Sequence, residues 1–243
     1  MSLSLTYVGH ATVLVELDGA TVVTDPMLRG RVIQLRRYAD PPEPFEAETV
    51  LISHGHYDHL DLPSLDRVGR DRLVVVPHGL RPLLRRRGYR NVVELAPGEE
   101  TGAGQVTIRA TRALHSGARL TAPRAKAIGY LIRGTRTVYF AGDTDLMPEL
   151  DAIGREGIDV ALIPVWGWGP KVGAGHLDPE RAAEAARRVN PTLAIPIHWG
   201  TYASRGGTTS REPAERFARA CEGHVDVRIL EVGEQLVVNP GAA

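Results

Sequence analysis

The run His54-Gly-His56-Tyr-Asp58-His59 follows directly on the segment Thr49-Val-Leu-Ile-Ser53, and nothing else in the chain restricts its fold and chemistry as much. Residues 49–53 read as a buried strand. Four candidate metal ligands therefore stand where a strand gives way to a loop, the kind of rim on which sites are built. Imidazole and carboxylate are ligands that zinc, manganese and iron accept without a thiol. In extended backbone, residues two apart point the same way, so His54 and His56 can chelate one ion while Asp58 and His59 turn toward a second. A polar turn with solvated histidines would require this spacing to arise by chance in a chain with only 9 histidines.

A chain of 243 residues is long enough to bury a sizeable core, and a single domain spanning residues 1–243 is the expectation. With 29 basic and 29 acidic residues the formal net charge is zero. No global field recruits nucleic acid or an anionic membrane, and no nucleic-acid partner is expected. Only Lys126 and Lys171 are lysines, which reads as compositional bias toward arginine. The single cysteine, Cys221, cannot form an intramolecular disulfide and reads as a small, partly buried residue on a late helix; a reducing compartment follows. The amino-terminal residues pass straight into strand-like alternation without a basic leader or long apolar stretch, and no window reaches the roughly 18 apolar residues of a membrane span. A soluble, cytoplasmic protein is the expectation, and a homo-oligomer is compatible with the sequence.

Alternating apolar positions in Leu3 to Val8, Ala11 to Leu17 and Ala20 to Thr24, with Asp18-Gly19 as a turn, predict an opening β-meander. Residues 27–48 lack periodicity and read as a loop that partly covers a site. Strands and helices then alternate: strand 49–53, helix 62–68, strand 73–76, helix 80–87 and strand 92–95. Further strands are expected over 106–111, 127–133 and 137–141, a helix over 147–155 and a strand over 159–163. Asp178-Pro179-Glu180 opens a helix over 179–189, with Asp178 as its N-cap and Pro179 in its first turn. Strand 193–197, a helix over 212–220 and strands 225–230 and 235–238 complete the chain. A meander followed by β-α alternation in each half predicts an α/β (α+β) fold, two sheets packed face to face with helices outside.

Three further candidates emerge just past β-rich segments: His115 in Leu114-His115-Ser116, Asp143 in Ala141-Gly142-Asp143-Thr144, and His198 in Ile197-His198-Trp199. With the opening run they make a metal set of His54, His56, Asp58, His59, His115, Asp143 and His198. A two-ion site needs about three protein ligands per ion and a bridging carboxylate. The assignment is His54, His56 and His115 on the first ion and Asp58, His59 and His198 on the second, with Asp143 between. Asp145 competes for the bridging role; Gly142 permits close backbone approach beside Asp143, so Asp143 takes the role and Asp145 is expected to cap helix 147–155.

This ordered set, HxHxDH, then His, Gly-Asp and His, resembles the metallo-β-lactamase superfamily. The resemblance implies an αβ/βα four-layer sandwich. Val8-Gly-His10-Ala-Thr12, Thr24-Asp25-Pro26, Tyr139-Phe-Ala-Gly-Asp143-Thr, Gly175-His176-Leu-Asp-Pro179-Glu and Ile197-His198-Trp-Gly200-Thr-Tyr are similar to one branch, which includes N-acyl phosphatidylethanolamine-hydrolysing phospholipase D and ascorbate-6-phosphate lactonase-like proteins. In that branch the positions matching His10 and His176 lie at or beside the active site, which implies substrate contact or proton handling for both. The position matching Asp25 implies orientation of a metal-binding histidine. The segment His115-Ser-Gly-Ala-Arg119 is shorter than the branch's usual tryptophan-bearing insertion, so the branch's substrates are not carried over with the resemblance.

Two ions flanking one water lower its pKa toward about 7. The expected activity is attack of a metal-bridged hydroxide on a phosphodiester, ester or lactone of a small or lipid-like substrate, with Asp58 orienting the water and taking its proton. The nitrogen-rich set favours two Zn2+ ions, with Mn2+ or Fe as alternatives. A nuclease of the same superfamily and a non-catalytic metal-binding regulatory module are the competing readings; neutral charge opposes the first and the complete ligand set the second. His78 and His224 read as structural or exposed. Trp166 and Trp168, in a Gly-rich stretch running to Lys171, suit either a loop lining the pocket or surface packing, and Arg119, Lys171 and Arg205 read as solvated charges near the site.

Overall fold

The computed structural model describes residues 2–118, 125–166, 173–204 and 209–238. Its elements run, in chain order, β1 (Leu3–Gly9), β2 (Thr12–Leu17), β3 (Ala20–Thr24), β4 (Arg31–Val32), β5 (Leu35–Arg37), β6 (Thr49–Leu51), α1 (Leu62–Val68), β7 (Leu73–Pro77), α2 (Arg81–Arg86), β8 (Val92–Leu95), β9 (Glu100–Ala103) and β10 (Val106–Arg112). There follow β11 (Ile128–Arg133), β12 (Thr137–Phe140), α3 (Glu149–Gly154), β13 (Val160–Pro164), α4 (Pro179–Val189), β14 (Leu193–Ile197), β15 (Tyr202–Ala203), α5 (Glu212–Cys221), β16 (Asp226–Val227) and β17 (Gln235–Val238).

The opening meander forms because alternate side chains can be buried on one face. Leu3, Leu5 and Tyr7 are buried while Ser4 and Thr6 are half-buried. Asp18 and Gly19 both take positive φ, 53° and 86°, the geometry of a tight hairpin turn that brings Leu17 opposite Ala20. Two seven-stranded sheets result, ordered β17-β1-β2-β3-β6-β7-β8 and β16-β14-β13-β12-β11-β10-β9. Each sheet changes from antiparallel to parallel partway across, at β3/β6 in the first and β12/β13 in the second.

Leu3, Leu5, Val13, Val15, Leu51 and Val75 of the first sheet share one buried core with Ile108, Tyr130, Phe140 and Leu162 of the second. On the first sheet's other side Val23, Val50, Val74 and Val76 pack with Leu65 of α1 and Leu84 of α2. Small residues of α4, Ala182, Ala183 and Ala186, join the main core with Phe217 of α5 and Leu150 of α3. Sheet faces sheet, with helices on the outer surfaces: the sandwich expected.

Several sequence expectations need correction. Residues 27–48 are not wholly irregular, because β4 and β5 form a hairpin that pairs with β15 in a third, three-stranded sheet. Elements of two and three residues are too short to show periodicity. The strand expected over 49–53 ends at Leu51, since the Ser53 amide donates to Asp25 Oδ1 at 2.7 Å. Strand β9, half exposed, was not anticipated, and helix α3 begins at Glu149 instead of 147. Asp145 does not cap α3: the N-cap is Pro148 without a side-chain bond, and Asp145 accepts from the Leu146 amide and pairs with Arg181. Among the described residues no helix is long and apolar enough to cross a membrane.

Candidate metal centre

The predicted ligands converge on one rim of the sandwich, each just beyond a strand end. The loop after β6 carries His54, His56, Asp58 and His59; the segments after β10, β12 and β14 carry His115, Asp143 and His198. His54, His59 and His198 are almost wholly buried, as is Asp143. Ligand atoms of His54, His56 and His115 lie within 4.8 Å of one another, and so do those of His10, Asp58, His59 and His198. Asp143 stands between these groups. Its Oδ2 is 3.2 Å from His59 Nε2, 3.8 Å from His54 Nε2 and 3.9 Å from His115 Nε2, and its Oδ1 is 3.4 Å from His198 Nε2.

Local backbone geometry makes this approach feasible. Gly142 has φ of 58°, and a Cβ there would stand 2.6 Å from Ser53 Cβ, so only glycine lets the Asp143 segment lie against the histidine loop. His198 and His10 also take positive φ, 65° and 59°, a conformation that is uncommon for non-glycine residues and recurs at active sites as well as in turns. The His198 amide donates to the His10 carbonyl at 2.8 Å, tying the two turns together.

Asp25 lies beneath the loop, fully buried, and accepts from the Ser53 amide and from Ser53 Oγ at 2.5 Å while bonding His59 Nδ1 at 2.7 Å. That bond leaves His59 Nε2 to face the cluster. Ser53 Oγ is also 2.9 Å from His54 Nδ1. Sequence reasoning placed Ser53 in a strand and missed this support; a hydroxyl immediately before the HxHxDH run is the signal that could have revealed it. His115 is oriented similarly, with Nδ1 2.8 Å from the Gly175 carbonyl oxygen.

Electrostatics follow from crowding these groups in a dry rim. Burial pushes the His54 and His198 imidazoles down, His198 to about 3 with the help of His10, so both are neutral and have lone pairs to offer. Burial also opposes charge on His59, but Asp143, Asp58 and Asp25 outweigh it and raise its pKa well above the usual value. Asp58 and Asp143 remain ionised, since nearby histidines, His59 foremost, overcome their desolvation. His54 Nε2 and Asp143 Oδ1 are buried without a hydrogen-bond partner. His115 Nε2 lies 3.1 Å from His56 Nδ1, and His198 Nε2 3.2 Å from His59 Nε2. Lone pairs that close, beside two carboxylates, call for a cation or a proton between them, and the thiol-free donor set suits a divalent metal.

His10 and His176 are both brought to the cluster. His10 is buried, its Nε2 3.3 Å from Asp58 Oδ2 and its ring centroid 3.9 Å from that of His198. His176 is more open, with Nε2 3.3 Å from Asp143 Oδ2; that contact raises its pKa. His78 sits apart and exposed, 3.3 Å from Glu99, and His224 is exposed near the end of α5. Trp166 is half-buried, while Trp168, Lys171, Arg119 and Arg205 lie outside the described residues.

Two β-sheets packed face to face under outer helices, with an HxHxDH loop, two further histidines and an aspartate on one rim, define the metallo-β-lactamase class of fold. The chain belongs to the family described as the beta-lactamase superfamily domain, which matches residues 20–199. It is 32% identical to an N-acyl-phosphatidylethanolamine-hydrolyzing phospholipase D of Caenorhabditis elegans, over 92% of this chain and 71% of that one. It is likewise 32% identical to a metal-dependent hydrolase of Methanopyrus kandleri, over 95% and 97% of the two chains. A solved metallo hydrolase from Ignicoccus hospitalis superposes with a TM-score of 0.76 at 25% identity, covering 98% of this chain and 99% of that one. The chain is a metal-dependent hydrolase of this superfamily, with a His/Asp cluster able to bind metal.

Proposed function

We propose that the protein is a binuclear hydrolase of a phosphodiester, ester or lactone in a small or lipid-like substrate. In this reading His54, His56 and His115 hold one divalent ion, Asp58, His59 and His198 hold a second, and Asp143 joins them. The observation that carries it is the place of Asp143, within 3.2 to 3.9 Å of histidine nitrogens from both groups. The nitrogen-rich donors favour Zn2+, with Mn2+ or Fe as alternatives. The nematode relative, named for hydrolysing a phospholipid, supports the phosphodiester class. When bound, the ions supply Lewis acidity and a water of lowered pKa.

The chain's own residues divide the remaining work. Asp58, kept ionised, orients the attacking water and accepts its proton. His10, buried behind Asp58, is a positioning residue that holds that carboxylate in place. His176, partly open at the rim with Nε2 3.3 Å from Asp143 Oδ2, is placed to donate to the leaving oxygen.

Metal analysis of the purified protein should find two divalent ions per chain, and fewer than one in His54→Ala combined with Asp143→Ala. The same pair should abolish hydrolysis of whichever of bis-p-nitrophenyl phosphate, lactones and thioesters the Zn2+-, Mn2+- or Fe-loaded protein cleaves. Metal-free wild-type protein, or undiminished hydrolysis in the double variant, would sink this reading. For His176→Gln, kcat should fall by roughly 10²-fold or more with alkoxide leaving groups and far less with p-nitrophenolate. An equal loss on both would remove His176 from proton donation.

A further inference from the structure

The β4–β5 hairpin carries a side chain that neither folding nor packing explains. Arg31 pairs with Arg36 and Val32 with Leu35, so Ile33 and Gln34 form a two-residue turn. Ile33 takes φ of 50°, at the first central position, which hairpins of this length commonly fill with glycine, and a β-branched residue there is strained. Burial does not compensate, for Ile33 is 57% exposed. The rest of the hairpin is firmly seated: Val32 and Leu35 pack with Met27 and Tyr202, and Arg37 of β5 pairs with Tyr202 of β15. A rigid support thus holds out one strained apolar side chain.

It borders a cavity shared with the histidine loop. Ile33 and Leu35 line a cavity of about 190 Å³ together with His56, Tyr57 and Asp58. Tyr57, also exposed, adds a second large apolar surface. Among the described residues no lysine or arginine lines this cavity, so its wall offers no cation to pair with an anionic group, while Ile33, Leu35 and the Tyr57 ring offer contact to a neutral apolar one. A volume of about 190 Å³ has room for a benzene-sized group, since an enclosed cavity of roughly 150 Å³ admits benzene.

We propose that the Ile33 hairpin and Tyr57 form a subsite for a compact neutral apolar substituent of the substrate, a phenyl ring or an alkyl group of about four carbons, beside the metal ligands His56 and Asp58. The assignment to a substrate rests on the hydrolase reading above; the cavity's affinity for a neutral ring does not. Strain retained at a ligand-contacting position is a common arrangement in binding sites.

Three measurements test the claims. In methyl-labelled protein, benzyl alcohol should shift the Ile33 and Leu35 methyl resonances saturably, with the saturable Leu35 shift lost in Ile33→Ser. Absence of saturation in the wild type overturns the subsite, whatever the enzyme's activity. In the metal-loaded enzyme, kcat/KM for esters should rise about fourfold per methylene from methyl to butyl, level off by octyl, and rise less than twofold per methylene in Ile33→Ser. A flat wild-type series alongside saturable binding overturns the substrate assignment. If no ester, lactone, thioester or phosphodiester is cleaved while benzyl alcohol still saturates, the hydrolase reading falls and the apolar cavity stands. Ile33→Gly should match or exceed the wild-type thermal midpoint while losing the chain-length dependence; a lower midpoint would mean that Ile33 serves folding and would overturn the inference.

Discussion

Asp25 shows how one residue couples the centre to its scaffold. Its carboxylate joins the Ser53 amide and hydroxyl to His59 Nδ1, so it sets both the backbone turn at the end of β6 and the direction of the His59 ring. Asn in its place keeps the size but loses the charge and one acceptor oxygen. Asp25→Asn is therefore expected to weaken divalent-metal affinity by about 10- to 100-fold, measured by chelator competition, with the far-ultraviolet circular dichroism spectrum retained; unchanged affinity would assign Asp25 a purely structural role. Residues such as His54 and Asp143 were legible in the sequence because ligand types recur directly after apolar strands. His10 was legible only through its resemblance to a family motif. That it lies buried behind Asp58 depends on a left-handed turn and on a contact with Thr201, 191 residues away, which no local pattern records.

At the scale of elements, α4 agrees with its sequence at both ends. Asp178 accepts from the Arg181 amide at 2.8 Å, Pro179 occupies the first turn, and Asn190 closes the helix at φ of 48°. Asp178→Ala should cost about 1 kcal/mol in urea unfolding; because α4 follows directly on His176, the variant is also a check that the site tolerates a loosened helix. A loss below a few tenths of a kcal/mol would show that packing of the alanine face dominates the cap. Helix α3 is the contrasting case. Its expected cap, Asp145, is drawn instead to Arg181 at the start of α4, and the helix starts two residues late without a side-chain cap. A tertiary ion pair here took the carboxylate that local rules would have given to the helix.

Across the whole molecule, the cluster assembles only when the two sheets close, since His54 to His59 extend from the first sheet and His115, Asp143 and His198 from the second. Folding thus creates the site, and the site feeds back on stability. In metal-free protein, burial holds His54, His56, His115 and His198 below the usual imidazole range, while His59 and His176 are raised. A ring with a depressed folded pKa takes up its proton first in the unfolded chain, at about pH 6.5, so acidification through that value favours unfolding; the two raised rings oppose it. Four against two, the thermal midpoint of metal-free protein should fall from pH 7.5 to pH 5.5, and a rise would show that His59 dominates. The sequence by itself determined the ligand types, their order and the β-rich segments that present them, because strand periodicity and strand-end loops are local properties of the backbone. Only the tertiary structure decided that Asp143 lies between the two histidine groups, that Asp145 serves α4, and that the short hairpin bearing Ile33 stands at the mouth of the centre. Those outcomes depend on which sheet faces which, and that is settled by burial of the shared core.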